Sequence, residues 1–410
     1  MKIGSRIKKA LRVVRREGLL RLLILSLLKI EKELRKSSKS DKVKFKINFL
    51  TKYNDALRAD WSGNPYVPPK AKKTAPYSIN WVMSPPDRGG GHQNIFRFIK
   101  YLEDQGHTCR IYLYSVHDLP TIGEVKQRLA KSYPDTRAEI RWLDNRMEPA
   151  DAIFATGWET AYPVFNDKSN AHKFYFVQDF EPYFYPVSSE YVLAENTYRF
   201  NFFGITAGGW LAHKLNRDYG MPTANYDFGA DKQLYRYTND KPRKEVFFYA
   251  RPVTARRGFE LGIMALQLFH EKMPDYTITL AGWDVSDYAI PFPYKNLKSL
   301  QLNELSDVYN QSAAALVISL TNMSLIPLEL LATGVIPVVT DGPNNREVSD
   351  NKYIQYTASS PQALADALVE VVTKKDLPKY VKEASKSVQG LNWDASCAKF
   401  EEILKEKLNG

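Results

Sequence analysis

SLTNMSLIPLELLATGVIPVVT, residues 319–340, is the stretch that decides the fold prediction for this chain. An apolar run at 314–319 is typical of a buried strand, and 336–340 is typical of another. The polar residues 321–324 predict a turn between them, and the residues after it predict a helix that ends at Gly334. This strand–loop–helix–strand unit presents the free backbone N–H groups of a helix N-terminus, which suit phosphate or another anion.

Glu329 lies in the first turns of the predicted helix. A carboxylate is poorly suited to phosphate, but it can accept hydrogen bonds from two neighbouring hydroxyls of a sugar or a ribose. The alternative is a glutamate that only complements the positive end of the helix dipole. We therefore treat Glu329 as a candidate for binding a nucleoside or a sugar.

The composition is that of a globular chain with about two domains. A length of 410 residues, with 44% hydrophobic and 25% charged residues, is ordinary for a soluble protein with real cores. The two cysteines, Cys109 and Cys397, lie far apart and form neither a disulfide framework nor a metal cluster. This cysteine usage favours a reducing, cytoplasmic compartment.

The N-terminus carries much of the net charge of +11. Residues 1–45 are predicted to form a basic amphipathic helix, whose apolar run at 19–28 is too short to span a bilayer. Residues 1–36 can lie on an anionic membrane surface, peripherally on the inner face of the cell membrane. The alternative is a helix whose leucine face packs on its own protein. No nucleic acid partner is expected, because the segment has no aromatic residue before Phe45 to stack on bases.

Two series of short apolar runs that alternate with helical segments follow a proline-rich arm at 46–76. The alternation predicts a mostly parallel, doubly wound sheet in each series, at 77–230 and at 231–390. Residues 391–410 predict a C-terminal helix, which can cross back to the first domain. The predicted fold class is α/β, with two Rossmann-like domains that face a cleft at the carboxyl ends of their strands, plus the helical N-terminal extension.

A basic turn follows the first predicted strand of the second domain. Arg251 and Arg257 lie six residues apart there, and Gly258 opens the next helix. A diphosphate needs donors that stay charged and contact two oxygens at once, which arginine provides. Each such bond contributes about 1.5–3 kcal/mol. The alternative is a solvated basic turn, since Arg256 lies between the two.

Polar residues also follow two predicted strands of the first domain. The first group is the glycine turn at 89–91 with His92. It lacks the GxGxxG spacing, but its glycines let the backbone approach a ligand closely; the alternative is a tight turn without a ligand. The second group is at 178–181, where an acid could bind acceptor hydroxyls or act as a base; the alternative is a loop of solvated acids. No metal site is predicted, because the histidines lack metal-ligand spacing. The candidate cleft and acceptor residues are Gly90, Gly91, His92, Gln178, Asp179 and Glu181.

Together these motifs resemble the retaining glycosyltransferases of family 4, which have the two-Rossmann GT-B fold. Arg251 and Arg257-Gly258 resemble that family's basic pair of Arg and then Lys-Gly. The run PLELLATGVIPVV from Pro327 is similar to its pattern P-L-E-A-x-A-x-G-x-P-V-V. FGAD at 228–231 and GH at 106–107 are similar to its N-G-V-D and G-H-x-V, and the resemblance covers about residues 77–410.

One position departs from the family pattern. The family's E-x7-E motif has its first glutamate where this chain has Thr321, eight residues before Glu329. In the family, that acid contacts the transferred sugar. A threonine there suggests a sugar with fewer hydroxyls, such as a 6-deoxyhexose.

The chain as a whole looks most like the bacterial rhamnosyltransferases of the WsaF type. The resemblance rests on FVQDFEPYFYP at 176–186, on Glu195 and Tyr198, and on GGWLAHKL at 208–215. It implies dTDP-β-L-rhamnose as the donor, a growing cell-surface glycan on a lipid carrier as the acceptor, retention, and no metal or other cofactor. The implied catalytic residues are Arg251, Arg257 and Asp179. The implied donor-binding residues are Arg251, Arg257, Thr321, Asn322, Met323, Ser324, Leu325 and Glu329.

Two alternatives remain open at this point. The donor could be another nucleoside-diphosphate sugar, with UDP or GDP. The chain could also be a non-catalytic subunit that binds a sugar nucleotide or a glycan within a membrane-bound synthesis complex, because Thr321 replaces an acid.

Overall fold

The computed structural model describes residues 26, 47–87, 89–117, 120–144 and 146–410. The chain divides into two units, Met1–Thr51 and Lys52–Gly410. In the first unit Ser26 is helical, and helix α1 spans Asn48–Lys52 across the boundary. The predicted basic helix at 1–45 and its membrane contact otherwise lie outside the described residues.

The second unit begins with a seven-stranded parallel sheet in the order β3-β2-β1-β4-β5-β6-β7. Its central strands are buried on both faces, which explains their continuous apolar sequence. In the register, Ile79 lies opposite Cys109 on one side and Ala152 on the other. The strands are β1 (Ser78–Met83), β2 (Thr108–Leu113), β3 (Glu139–Trp142), β4 (Ala152–Ala155), β5 (His172–Val177), β6 (Phe203–Ala207) and β7 (Thr223–Tyr226).

The helices around this sheet begin and end at recognisable capping residues. Thr121 and Glu124 form a capping box at the start of α4. Gly220, with a φ of 66°, ends α7 in the left-handed conformation. The helices are α2 (Asn54–Arg58), α3 (Gly90–Asp104), α4 (Ile122–Ser132), α5 (Trp158–Asn166), α6 (Ser189–Asn196) and α7 (Gly209–Tyr219), with 3-10 turns at Glu181–Phe184 and Thr197–Arg199.

A second parallel sheet follows, with six strands in the order β10-β9-β8-β11-β12-β13. Its strands are β8 (Glu245–Tyr249), β9 (Thr277–Ala281), β10 (Tyr294–Asn296), β11 (Ser312–Val317), β12 (Ile336–Thr340) and β13 (Gln355–Thr357). Its helices are α8 (Phe259–Lys272), α9 (Leu302–Gln311), α10 (Ile326–Ala332), α11 (Pro343–Arg346), α12 (Pro361–Val372) and α13 (Leu377–Ser387), with a 3-10 turn at Ala255–Arg257. The predicted α/β fold with two doubly wound sheets is therefore confirmed.

The last helix, α14 (Trp393–Asn409), returns to the first sheet. The Phe400 ring lies 4.7 Å from that of Phe98 and 5.6 Å from that of Phe154, centroid to centroid. Glu401 contacts His107, with 3.1 Å between Oε1 and Nε2. The C-terminal helix thus contributes to the core of the first sheet.

The arm that precedes β1 packs along the same sheet's periphery. The ring of Tyr53 lies 5.3 Å from that of Trp158, and Tyr114 donates to the Asp55 carboxylate at 2.7 Å. Nearer the first strand, the Lys73 N–H donates to the Leu408 carbonyl at 2.8 Å. From residue 52 onwards, the proline-rich arm therefore consists of the short helix α2 and a non-helical stretch up to β1, and specific contacts hold both.

Each sheet has one point at which the strand order reverses. It lies between β1 and β4 in the first sheet and between β8 and β11 in the second. Open parallel sheets bind ligands beside such points, at the carboxyl ends of the strands. In the second sheet, these ends lead into residues 250–258 and 318–325, which include both parts of the predicted anion site.

Candidate functional site

Arg257 is held beside the end of β11. It ends the 3-10 turn, and its Nη1 donates to the Ser319 hydroxyl at 2.7 Å. Gly258 follows with a φ of 55°, and a Cβ there would lie 2.6 Å from the Ile318 side chain, so glycine allows this close approach. Burial lowers the pKa of Arg257 from its ordinary value, while the Asp179 carboxylate opposes that shift. Arginine still remains cationic.

Arg251, just after β8, has a buried polar atom without a hydrogen-bond partner among the described residues. Its Nη1 donates weakly to the Tyr249 hydroxyl at 3.4 Å, but its buried Nε has no partner among the described residues. The buried hydroxyl of Ser324 also lacks one within the described part of the chain. The side-chain oxygens of Asn322 and Asn345 also lack partners among the described residues. Buried polar atoms are normally hydrogen-bonded, so these exceptions indicate a site for a polar ligand. An anion fits this set of donors.

The loop at 319–325, which we call the β11 loop, is fixed by hydrogen bonds of its own. The Ser319 hydroxyl donates to the Asn322 carbonyl at 2.7 Å. Asn345 donates to the Ser319 carbonyl at 3.1 Å, and the Met323 N–H donates to the Asn344 carbonyl at 3.2 Å. Two of these three bonds join the loop to α11, so the loop is packed against that helix.

The β11 loop also contacts the first sheet. The carboxylate of Asp179, just after β5, accepts hydrogen bonds from the Asn322 N–H at 2.9 Å and from the Thr321 hydroxyl at 3.0 Å. The Asn322 side chain donates to the carbonyls of Gln178 at 3.1 Å and Ala207 at 2.9 Å. The carboxyl ends of the two sheets therefore meet at this loop.

These contacts change two predictions about the loop. Backbone N–H groups at 322–325 were expected to bind a diphosphate, but those of Asn322 and Met323 already donate to Asp179 and to Asn344. Thr321 was expected to face the transferred sugar, yet it is only 1% exposed and donates to Asp179. The donors left for a ligand are therefore centred on Ser324 and Leu325.

Asp179 was grouped with the acceptor wall, and the structure places it against the second sheet's loop instead. Its Oδ2 lies 3.2 Å from Nε of Arg256, which in turn lies 4.0 Å above the Phe184 ring. Sequence reasoning treated Arg256 as part of a solvated turn and missed this role. Its only signal was its position between two candidate arginines, because the partner is 77 residues away.

Glu329 is half-buried in α10 and bonded to Tyr235. Burial raises the pKa of Glu329 to about 7, while the Tyr235 hydroxyl and the charge of Arg97 work in the opposite direction. Arg97 comes from α3 of the first sheet and lies 4.0 Å from Asp231. The surroundings are thus more than a helix dipole. Sequence reasoning missed Tyr235 and Arg97 as neighbours of Glu329, whereas Asp231 belongs to the FGAD run.

The glycine turn after β1 lies close enough to Arg251 for the charge of that arginine to act on Asp87. Ring atom Nδ1 of His92 lies 2.8 Å from the Asp87 carboxylate, and Nε2 lies 3.2 Å from the Ser84 hydroxyl. The hydrogen bond from His92, supported by the charge of Arg251, lowers the pKa of Asp87 to about 2. Gln178 donates to the Gly91 carbonyl at 3.0 Å, and Gly90 has open space where a Cβ would lie. These residues therefore form one wall of the cleft.

Glu181 does not line this wall. Its side chain accepts hydrogen bonds from the Trp158 N–H at 2.5 Å and from the Tyr175 hydroxyl at 3.2 Å. The residue is 7% exposed, and burial raises its pKa to about 8. The prediction of Glu181 as a cleft acid is corrected, because the carboxylate anchors the start of α5 inside the first sheet's layer.

Two family models match parts of the chain. The model described as "WsaF, C-terminal domain" matches residues 244–369, and the one described as "WsaF, N-terminal domain" matches 143–206. The O-antigen biosynthesis protein RfbC of Myxococcus xanthus is 30% identical over 335 residues, which are 78% of this chain and 26% of that protein. The chain thus spans about a quarter of the length of this relative.

Solved glycosyltransferase structures share the fold at low identity. TarM of S. aureus, solved with UDP and glycan ligands, has a TM-score of 0.64 at 10% identity and covers 82% of this chain and 100% of its own. HepE of Anabaena, solved with UDP-glucose, has a TM-score of 0.62 at 14% identity and covers 80% and 100%. A glycosyltransferase of Rickettsia africae has a TM-score of 0.58 at 14% identity and covers 82% and 100%.

In the described part of the chain, no helix is both long and apolar enough to cross a membrane. The structural neighbours have the GT-B fold, as predicted for this chain. Parts of the chain thus match the two WsaF domain models, and its fold is that of the solved GT-B glycosyltransferase structures.

Proposed function

We propose that this protein is a glycosyltransferase of O-antigen or polysaccharide biosynthesis that uses a nucleoside-diphosphate sugar as its donor. More specifically, it moves L-rhamnose from dTDP-β-L-rhamnose to a growing cell-surface glycan on a lipid carrier, with retention. One observation carries the proposal. Arg257 donates to Ser319 of the β11 loop, the charge of Arg251 acts on Arg257, and both Nε of Arg251 and the hydroxyl of Ser324 are buried without partners among the described residues.

The charge of this site suits a diphosphate. Two guanidinium groups supply positive charge that does not titrate near neutral pH, and they bind phosphate oxygens in pairs. The Ser324 hydroxyl and the N–H groups at 324 and 325 add neutral donors. Since the arginines already neutralise the leaving group, the proposal includes no metal ion and no other cofactor.

The nucleoside and the sugar are assigned from different evidence. Glu329, bonded to Tyr235, is the acceptor for nucleoside hydroxyls. L-rhamnose rests on the resemblance to WsaF-type rhamnosyltransferases alone. The name of the RfbC relative supports only the O-antigen context. The HepE structure contains UDP-glucose and the TarM structure contains UDP. The thermal-shift experiment below therefore compares uridine and guanosine nucleotides with dTDP.

The residues act mainly by electrostatics. Arg251 and Arg257 stabilise the charge that develops on the departing diphosphate, which leaves an oxocarbenium-like sugar. In a retaining transfer, the acceptor hydroxyl attacks from the face that the diphosphate leaves, and a phosphate oxygen takes its proton. The glycine turn at 89–91 lets the first sheet's wall approach the sugar closely.

Thermal-shift measurements with dTDP, UDP and GDP test the donor first. A ligand that binds only the folded state raises the melting temperature by mass action, so we expect dTDP to stabilise the protein most. Stabilisation by UDP or GDP alone would replace the thymidine assignment. No stabilisation by any of the three would contradict the proposed function.

Transfer assays then separate an enzyme from a non-catalytic subunit. Purified protein should release dTDP from dTDP-β-L-rhamnose when a lipid-linked oligosaccharide is added, and EDTA should not reduce the rate. The second candidate is a subunit that only binds sugar nucleotides or glycans, which the Thr321 position and its bond to Asp179 favour. Binding of dTDP-β-L-rhamnose without release of dTDP, with or without the acceptor, would support that candidate.

The proposed location is the cytoplasmic face of the cell membrane, where the lipid-linked acceptor is available. The basic residues of 1–36 would hold the protein on an anionic leaflet. We expect the protein to float with vesicles that contain anionic lipid and to do so less at high salt. Equal flotation after removal of residues 1–36 would exclude this segment as the membrane contact.

A further inference from the structure

The Asp179 carboxylate has no room for another hydrogen bond. Oδ1 accepts from the N–H groups of Asn322 and Phe180, each at 2.9 Å. Oδ2 accepts from the Thr321 hydroxyl at 3.0 Å and from Arg256 at 3.2 Å. A carboxylate offers about four acceptor positions, so all of them are used. In this arrangement Asp179 can serve neither as a base nor as a contact for substrate hydroxyls.

Asn322 connects this carboxylate to the second sheet. Its side chain is 2% exposed and inserts between the ends of β5 and β6, where it donates to the carbonyls of Gln178 and Ala207. Its N–H donates to Asp179, and its carbonyl accepts from the Ser319 hydroxyl at 2.7 Å. One residue of the β11 loop thus contacts three points of the first sheet.

The connection continues to the basic pair. The Ser319 hydroxyl that donates to Asn322 also accepts from Nη1 of Arg257 at 2.7 Å. Three hydrogen bonds therefore join Asp179, on the first sheet, to Arg257, on the second. Since a hydroxyl can accept from one group and donate to another, Ser319 links the guanidinium of Arg257 to the carbonyl of Asn322.

We propose that Asp179, Asn322 and Ser319 are positioning residues that couple closure of the cleft to the orientation of Arg257. When the two sheets approach, Asp179 and the carbonyls after β5 and β6 seat Asn322, and Ser319 then aims the guanidinium at the anion site. When they separate, Arg257 loses this support. The identity of the anion as a diphosphate rests on the proposed function, but the coupling itself does not.

A second contact between the first-sheet and second-sheet parts of the chain provides a matched control. His213 of α7 and Glu347, just after α11, lie 2.8 Å apart, and both are exposed to solvent. This pair also spans the cleft, but it makes no contact with Asp179, Ser319 or Arg257. Glu347→Gln therefore removes a contact between the sheets without breaking the connection to Arg257.

The first experiment measures closure without any ligand. Spin labels at Lys131→Cys and Asp287→Cys report the distance between the halves, because both sites are exposed and the native cysteines are buried. Asp179→Asn should add a population at longer distances, and Glu347→Gln should change the distribution much less. If Asp179→Asn folds poorly, Arg256→Gln weakens the same contact from the opposite wall. Identical distributions for wild type and both variants would overturn the closure part of the proposal.

The second experiment is a double-mutant cycle on dTDP affinity, with UDP and GDP as further probes. Asp179→Asn and Ser319→Ala should each lower the affinity for dTDP about tenfold. The affinity of the double variant should be at most about threefold lower than that of the single variant that binds dTDP less tightly. Asp179 and Ser319 do not touch, so this non-additivity would come from the residues between them. The control cycle with Glu347→Gln and Ser319→Ala should be additive within about twofold.

The outcomes separate the inference from the proposed function. Additive effects in both cycles, or equal coupling in both, would overturn the inference while nucleotide binding stands. A wild type that binds none of the three nucleotides would contradict the proposed function, and the distance measurement would still decide the closure part.

Discussion

Arg257 is a half-buried cation that has no ion pair among the residues that the structure describes. Its guanidinium donates to a serine hydroxyl, and the nearest carboxylate influence, that of Asp179, opposes the effect of burial on its pKa. Burying a charge is costly unless it is paired or hydrogen-bonded. An anionic ligand between Arg251 and Arg257 would supply the missing charge, which is the role that the sequence predicts for these two arginines.

Arg257→Gln should weaken binding of dTDP by roughly 10- to 100-fold, because it removes a charge-assisted hydrogen bond of about 1.5–3 kcal/mol. Isothermal titration calorimetry measures the loss. The control is Arg217→Gln on α7, whose side chain is exposed and forms an ion pair with the neighbouring Asp218. Equal affinities for wild type and Arg257→Gln would remove Arg257 from the site.

Glu329 predicts a pH dependence for nucleotide-sugar binding. The pKa of this carboxyl is raised to about 7, so it is mostly protonated at pH 6 and mostly ionised at pH 8. Hydroxyls donate to the ionised form, and the affinity for dTDP-β-L-rhamnose should therefore increase between pH 6 and pH 8. Glu329→Gln should abolish this increase.

The same group has an opposite effect on folding. When the pKa of a carboxyl is higher in the folded state than its ordinary value, the folded protein loses stability as the pH rises from that ordinary value through the raised one, here about 7. Glu329→Gln should therefore be more stable than wild type at pH 8, with a smaller difference at pH 5. A wild-type advantage in urea unfolding at pH 8 would contradict the raised pKa.

At the scale of elements, local patterns predicted the sheets and helices but not their contacts. Pro327 and Gly334 placed α10 correctly, because a proline favours a first turn and a glycine with a φ of 76° ends the helix. The β11 strand was predicted about two residues late, since the apolar run continues into the loop. The bond between Asp179 and Asn322 spans 143 residues, and no local pattern encodes it.

Gly262 of α8 sets the distance between that helix and β8. A Cβ at this position would lie 2.2 Å from Cζ of Phe248, so the residues cannot both keep their places. Gly262→Ala should reduce the free energy of unfolding by about 1–3 kcal/mol, as overpacking does. Gly390→Ala is the control, because a Cβ there would have no neighbouring atom within 4 Å and the backbone φ is not positive. Similar urea midpoints for both variants would contradict this close packing.

At the scale of the whole second unit, two segments that belong to neither sheet pack against the first sheet: the helix α14 and the arm before β1. The helix α14 places Phe400 among Trp81, Phe98 and Phe154, although it follows the second sheet in sequence. Composition predicted a terminal helix and left its partner open, because the aromatic cluster is assembled from distant parts of the chain. The sequence likewise predicted an arm, but its contacts depend on single residues such as Tyr53 and Asp55.

Phe400→Ala should cost about 3–5 kcal/mol of unfolding free energy, because it removes a fully buried ring from this cluster. The loss should be seen in the stability of the first sheet, which hydrogen exchange at β1 and β4 measures. Val187→Ala, on a side chain that is 89% exposed, is the control. Unchanged exchange in β1 and β4 would show that α14 is not part of that core.

The proposed function depends above all on the two arginines and the β11 loop binding the diphosphate of a sugar nucleotide. A crystal structure of the full chain with dTDP tests this binding site directly. We expect both phosphates within hydrogen-bond distance of Arg251, Arg257 and the Ser324 hydroxyl, with the nucleoside hydroxyl on Glu329. A nucleotide bound elsewhere, or phosphates that leave both arginines and Ser324 without contact, would contradict it.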